Sequence, residues 1–296
     1  MTRIRSTNSA RIQDRRGQGG RGGGGGFNFP GLGGGGLGLP IRGGGGLIGL
    51  LVIAAVILLP RLLGGDGTGG LTQPAGAQEG QDACTTELEQ TICGANEDVQ
   101  DYWAGASPAA FGRSYDDTQL VLFSGSTATA CGTGSARTGP FYCPVDRLVY
   151  FDLDFLVELQ RQFGATGDLA AQYIVAHEFG HHVQNLTGQS DQPADFAGPR
   201  EEWSVAVELQ ADCYAGVWAH DAARRTDRHG LPLFEEGEIT EALNAAAAVG
   251  DDRIQLETQG RTDPETYTHG TSEQRVQAFT IGYASGDPTT CGNPYG

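Results

Sequence analysis

Two hydrophobic periods run along this chain, and they predict different elements. Over residues 84–104, Leu88, Ile92, Val99, Tyr102 and Trp103 recur at roughly helical spacing. Residues 118–123 (TQLVLF) read as a strand closed by a Ser/Gly/Thr loop, and residues 147–152 (RLVYFD) as a second. Residues 154–163 are amphipathic and helical, stopped by Gly164 and Gly167. The next helix has Asp168 as its predicted N-cap and Gly188 as its C-cap, with Tyr173, Ile174 and Val175 giving its first half a core character. Another helix opens at Gly198-Pro199-Arg200-Glu201-Glu202, where proline suits the first turn and acids suit the helix dipole. The pattern predicts an α+β domain over residues 82–296, mainly helical with a small sheet.

The chain before residue 82 has a different texture. Nineteen of the 48 glycines precede residue 50, and residues 1–46 are Arg- and Gly-rich with little apolar surface to offset backbone ordering. They read as a disordered arm. Residues 47–63 are apolar apart from Pro60 and Arg61, which makes a minimal transmembrane anchor against the ~17–25 residues a span needs. A cleavable signal peptide is the rival reading, but Ala75-Gly76-Ala77 lies well beyond the apolar run, which favours an uncleaved anchor. Seven arginines precede the run, so the arm is expected in the cytoplasm and the domain outside it. Residues 64–81 form a Gly/Thr/Gln/Pro linker.

Charge and cysteines narrow the function. Residues 1–63 carry a net +7 and the remainder −24, so the acidic domain repels phosphate and nucleic acid is not an expected partner. The chain has no lysine and no Gly-x-Ser-x-Gly, which removes phosphate-loop, Schiff-base and serine-hydrolase chemistry. All six cysteines lie beyond residue 82, an even count that suits disulfides in an exported domain. Sequence neighbours suggest Cys84–Cys93 and Cys131–Cys143, leaving Cys213–Cys291. A zinc-thiolate cluster is the alternative, though no Cys-x-x-Cys is present.

The candidate chemistry sits in His177-Glu178-Phe179-Gly180-His181-His182. Positions i and i+4 share a helix face, so His177 and His181 can aim two imidazoles at one zinc ion, with Glu178 beside it to take a proton from water. His182 is rotated about 100° from His181 and is expected to be a supporting or surface residue. A third ligand is required. The metzincin extension fails, because positions 184 and 187 are Gln184 and Thr187. Glu208 and Asp212 are again i and i+4, amid Val205, Val207, Ala211 and Ala215. Glu208 is the expected third ligand, and Asp212 the acceptor of a ligand histidine's ring N–H.

HEFGHHVQ, ELQADCYAG and His269-Gly270-Thr271-Ser272-Glu273-Gln274-Arg275 together resemble the bacterial neutral zinc metallopeptidases of the YpfJ type. Cys131-Gly132 and residues 139–146 (GPFYCPVD) share in the likeness, which covers roughly residues 82–292. The resemblance implies a zincin-like, gluzincin-type domain behind one membrane span, acting on peptide or protein substrates. The His269-x5-Arg275 segment is similar to one that HtpX-type membrane proteases place near zinc; this likeness implies that His269 stabilises the oxyanion and Arg275 holds the site loop or substrate. His220 and His229 match nothing and are expected to be exposed. The strand at 147–152 is a candidate to hold an extended substrate by backbone pairing. The expected activity is therefore zinc-dependent endopeptidase, against two rivals: a zinc-binding envelope module without peptidase activity, and a zinc amidase acting on cell wall.

Overall fold

The computed structural model describes residues 2–16, 78–79, 83–135, 139–164, 167–235 and 237–292. Helix α1 (Glu87–Phe111) starts at a capping box between Thr86 and Glu89 and ends at Gly112 in the left-handed conformation. The two predicted strands are β3 (Leu120–Phe123) and β7 (Leu148–Asp152), which pair in parallel. Between them lie a hairpin, β4 (Ser126–Thr129) with β5 (Gly132–Ser135), and β6 (Phe141–Cys143), antiparallel to β7. Helices α2 (Leu153–Phe163), α3 (Asp168–Thr187), α4 (Arg200–Arg224), α5 (Glu238–Ala248), α6 (Asp251–Gln259) and α7 (Ser272–Ser285) complete the domain.

Helix α3 runs through the centre of the molecule. It is buried continuously from Leu169 to Gln184 and packs against α1, α4, α5 and β6. Trp103, Tyr173, Tyr214, Trp218 and Phe279 fill the core around it. A helix buried on every face is a core helix, as the apolar residues of its first half predicted. Its N-cap is Gly167, whereas Asp168 is the first helical residue and makes no cap hydrogen bond. Asp168 is instead engaged by Arg5 at 2.7 Å.

That contact belongs to the largest departure from the sequence expectation. Residues 2–16 of the expected disordered arm are folded onto the domain. Strand β1 (Ile12–Asp14) lies parallel to β3, and β2 (Gln78–Glu79), within the expected linker, pairs antiparallel with β1. The sheet order is β2-β1-β3-β7-β6. Composition misjudged this segment because the glycine-rich stretch that follows it dominates the average, while Ile4 and Ile12 are buried.

A second correction concerns β7. It is flanked by β3 and β6 and so has no free edge for a substrate; the edge strand that touches α3 is β6. The predicted membrane anchor at 47–63 lies outside the described residues, and among the described residues no helix is long and apolar enough to cross a membrane. The three disulfides are Cys84–Cys93, Cys131–Cys143 and Cys213–Cys291. The last ties α4 to the segment after α7.

Candidate metal centre

The site forms where α3 crosses α4, and small residues set how close the crossing is. A methyl group on Gly180 would lie only 3.1 Å from the Ala211 Cα and backbone oxygen. Glycine therefore permits this approach at a helix interior position where it otherwise costs stability. On one side of the crossing stand His177 and His181; facing them are Glu208 and Asp212.

His177 Nε2 is 3.1 Å from Glu208 Oε2, and His181 Nε2 is 3.5 Å from Glu208 Oε1. Ligand atoms of His177, His181 and Glu208 all lie within 4.8 Å of one another, and all three residues are buried. The opposite nitrogen of each ring is already committed. His177 donates from Nδ1 to Asp212 Oδ1 at 2.8 Å, and His181 donates from Nδ1 to Gln184 Oε1 at 2.9 Å. Gln184 cannot turn its oxygen away without losing its own bonds, because its amide N–H groups donate to the Val207 carbonyl and Gln210 Oε1. With Nδ1 committed, both imidazoles turn Nε2 toward one point beside a carboxylate. Two neutral nitrogens and one carboxylate oxygen are a donor set that zinc accepts. The arrangement fits the ion.

Asp212 is fully buried and receives four donors. Its Oδ1 accepts from Tyr173 Oη at 2.5 Å, His177 Nδ1 and Arg275 Nη2 at 2.9 Å, and its Oδ2 accepts from Arg275 Nε at 2.8 Å. Burial pushes the Asp212 carboxyl up, but Arg275 and His177 outweigh it and hold the value below the ordinary carboxylate range. Burial likewise opposes charge on Glu208, which His181 and His269 nonetheless draw well below its usual value. On His177, burial disfavours the charged ring, but Asp212 and Glu208 raise it to about 10. The three shifts come from the mutual pairing of buried carboxylates with the histidines and Arg275, which offsets the burial of each charge. Glu178 differs: burial raises its carboxyl, only partly offset by the two histidines.

The loop 268–270 reaches the site from the other side. Asp251, the first residue of α6, accepts backbone N–H groups of Thr268, His269 and Gly270 on Oδ2 and faces His269 Nδ1 with Oδ1 at 3.2 Å. His269 is buried, and its ring is raised against the effect of burial by Glu208 and Asp251. The structure therefore brings His177, Glu178, His181, Glu208, Asp212, His269 and Arg275 together. Arg275 is wholly engaged by the fold around Asp212, Tyr173 and the Val249 carbonyl.

His182 is a buried strut rather than a surface group. It bonds to Tyr142 Oη and the Asp116 carbonyl, and burial lowers its ring. His229 is exposed as expected. His220 is partly buried and donates from Nδ1 to the Tyr283 carbonyl at 2.6 Å. Sequence reasoning missed Tyr173, Gln184 and Asp251. Tyr173 stands four residues before His177 and Gln184 three after His181, so helical spacing alone puts both near the ligand faces.

A buried His/His/Glu cluster on crossing helices, with a carboxylate next to the first histidine, is a site that can hold a metal ion. The chain belongs to the family described as "Putative neutral zinc metallopeptidase", whose model matches residues 1–293. It is 41% identical over 261 residues to YpfJ of Escherichia coli strain K12, covering 84% of this chain and 87% of that protein. It is also 51% identical over 182 residues to Rv2575 of Mycobacterium tuberculosis strain H37Rv, covering 60% of this chain and 62% of that relative's length. No solved structure matches it.

Proposed function

We propose that this protein is a zinc-dependent endopeptidase with a zincin-like domain of gluzincin type. The observation that carries the reading is the convergence of His177, His181 and Glu208 within 4.8 Å, with both histidine Nδ1 positions tied off. Zinc held there supplies Lewis acidity, polarising a substrate carbonyl and acidifying water. Glu178 takes the proton of the attacking water and returns it to the leaving amine; its burial-raised carboxyl suits a group that must both accept and release a proton. His269, held by Asp251, donates to the oxyanion that develops on the carbonyl. Asp212 keeps the His177 ring in the tautomer that offers Nε2 to the metal, and Arg275 and Tyr173 hold Asp212.

The three disulfides support export of the domain to an oxidising compartment. Association of residues 47–63 with a membrane, without carrying the chain from one face to the other, is a separate proposal that rests on the apolar composition of that run.

Replacing Glu178 with Gln tests the reading. The variant should retain zinc at the wild-type stoichiometry and lose cleavage of casein or a peptide library. Wild type that binds zinc yet cleaves no peptide would favour a non-catalytic envelope module, and cleavage of peptidoglycan fragments instead would favour the amidase. Undiminished proteolysis by the Glu178→Gln variant would remove the assigned base.

A further inference from the structure

Residues 2–16 form a strap that is built into the domain at several independent points. Ile4 and Ile12 are buried in the main core, and β1 completes the sheet between β2 and β3. The strap backbone crosses α1 at Gly94, where a methyl group would lie 2.6 Å from the Arg5 Cα and 2.7 Å from the Ile4 carbonyl oxygen. Any larger residue at that helix interior position is incompatible with a seated strap. The Ile4 carbonyl accepts from Gln172 Nε2 at 2.8 Å, and Arg5 pairs with Asp168 at 2.7 Å. Both partners lie in the first turns of α3, the helix that carries His177 and His181. Further along, Arg11 reaches Asp101 and Asp117, and Arg16 joins Asp14 and Glu89.

We infer that residues 2–16 are a brace of the domain over residues 83–292 and share its compartment. A single crossing between residues 16 and 83 would place strap and domain on opposite faces. It would strip Ile12 from the sheet, open the seat at Gly94 and leave the start of α3 without Arg5 and the Ile4 carbonyl. The seven arginines that predict a cytoplasmic N-terminus are largely spoken for by the fold. Arg3, Arg5, Arg11 and Arg16 all pair with acids of the domain. All four also lie more than thirty residues before the apolar run, outside the ~15–20 residues over which flanking charge orients a span. This inference stands apart from the zinc reading, since no residue of the strap touches the site.

The test uses the full chain with one added thiol at a time. Thr7→Cys places a thiol on the exposed part of the strap, and Thr280→Cys places one on the exposed face of α7. A membrane-impermeant maleimide applied to intact cells, and again after permeabilisation, should label both positions or protect both alike. Labelling of one in intact cells while the other reacts only after permeabilisation would overturn the inference. In the purified full chain, Ile4→Cys should react on the order of a hundredfold more slowly than in urea, because a seated strap hides it. Adding Gly94→Val should restore fast reaction. An Ile4→Cys thiol that is fast without Gly94→Val would equally overturn it.

Discussion

Asp212 offers the most informative perturbation of the site. Replacing it with Asn keeps its shape and leaves one oxygen to accept from His177, but removes the charge that Arg275 was folded to meet. Arg275 is 4% exposed and would then be a buried cation without a carboxylate. Breaking a buried pair by removing one partner costs about 3–5 kcal/mol. For a domain of this size that is roughly 2–4 °C of melting temperature per kcal/mol, so a fall of about 6–20 °C. Loss of a carboxylate behind a ligand histidine weakens metal binding by about 10–100-fold. The two effects separate in Asp212→Asn/Arg275→Met, which removes both charges. Its stability should recover part of the loss, because the interaction is non-additive, while zinc affinity stays low. Melting curves and zinc competition against a chromophoric chelator read both quantities. An Asp212→Asn variant with wild-type zinc affinity would refute the assigned role of Asp212. Equal melting temperatures for the single and double variants would refute the coupling to Arg275.

Two further predictions concern what holds the site in place. Gly282 of α7 packs against α4 so closely that a methyl group would lie 2.0 Å from the Cys213 carbonyl oxygen, and Gly216 meets the Phe279 carbonyl oxygen at 2.1 Å. Gly282→Ala should therefore force α4 and α7 apart, costing about 1–3 kcal/mol in urea unfolding and lowering zinc affinity as Arg275 retreats from Asp212. Gly105→Ala on the exposed face of α1, with nothing within 4 Å, should stabilise slightly; similar effects from both substitutions would refute the close-contact explanation. Acid should loosen the strap. Burial pushes the Glu89 carboxyl up, but the Thr85 and Thr86 N–H groups and the Arg16 guanidinium outweigh it and bring it from 4.5 to about 2. Because the folded value is depressed, the stabilisation is full above about 4.5 and is lost as pH falls toward 2. Urea midpoints across this range should fall more steeply for wild type than for Glu89→Gln, and parallel curves would refute the linkage.

The parts of this protein legible in its sequence are those whose partners lie within one or two helical turns. His177, His181, Glu208 and Asp212 declare themselves because i and i+4 fix a shared face without knowledge of the fold. What the spacing could not supply was the crossing of the two faces. That depends on Gly180 and Ala211, which carry no chemistry and look unremarkable in a helical run. Asp251 was invisible for a related reason: it is one acid in an Asp251-Asp252 pair at a helix start, where the dipole alone accounts for an acid. Only the return of the chain at 268–270 shows that it caps a histidine-bearing loop.

The strap marks where reading by composition reverses its sign. Fifteen residues with two buried isoleucines cannot fold alone, and beside a long glycine-rich stretch they average to an unstructured arm. Their order is entirely non-local, since β1 pairs with β3 more than a hundred residues away and its backbone needs the notch at Gly94. A helix-interior glycine with no turn to make was the one visible sign, because glycine there is costly unless something passes close by. The same reasoning applies to Gly180, and to Gly216 and Gly282 where α4 meets α7, so four interior glycines mark three close contacts around the site. Gly94 admits the strap that braces the start of α3, Gly180 admits α4 with Glu208, and Gly216 with Gly282 admits α7 with Arg275. The chemistry of this protein is written in its histidines and acids, and its assembly is written in the glycines that let them meet.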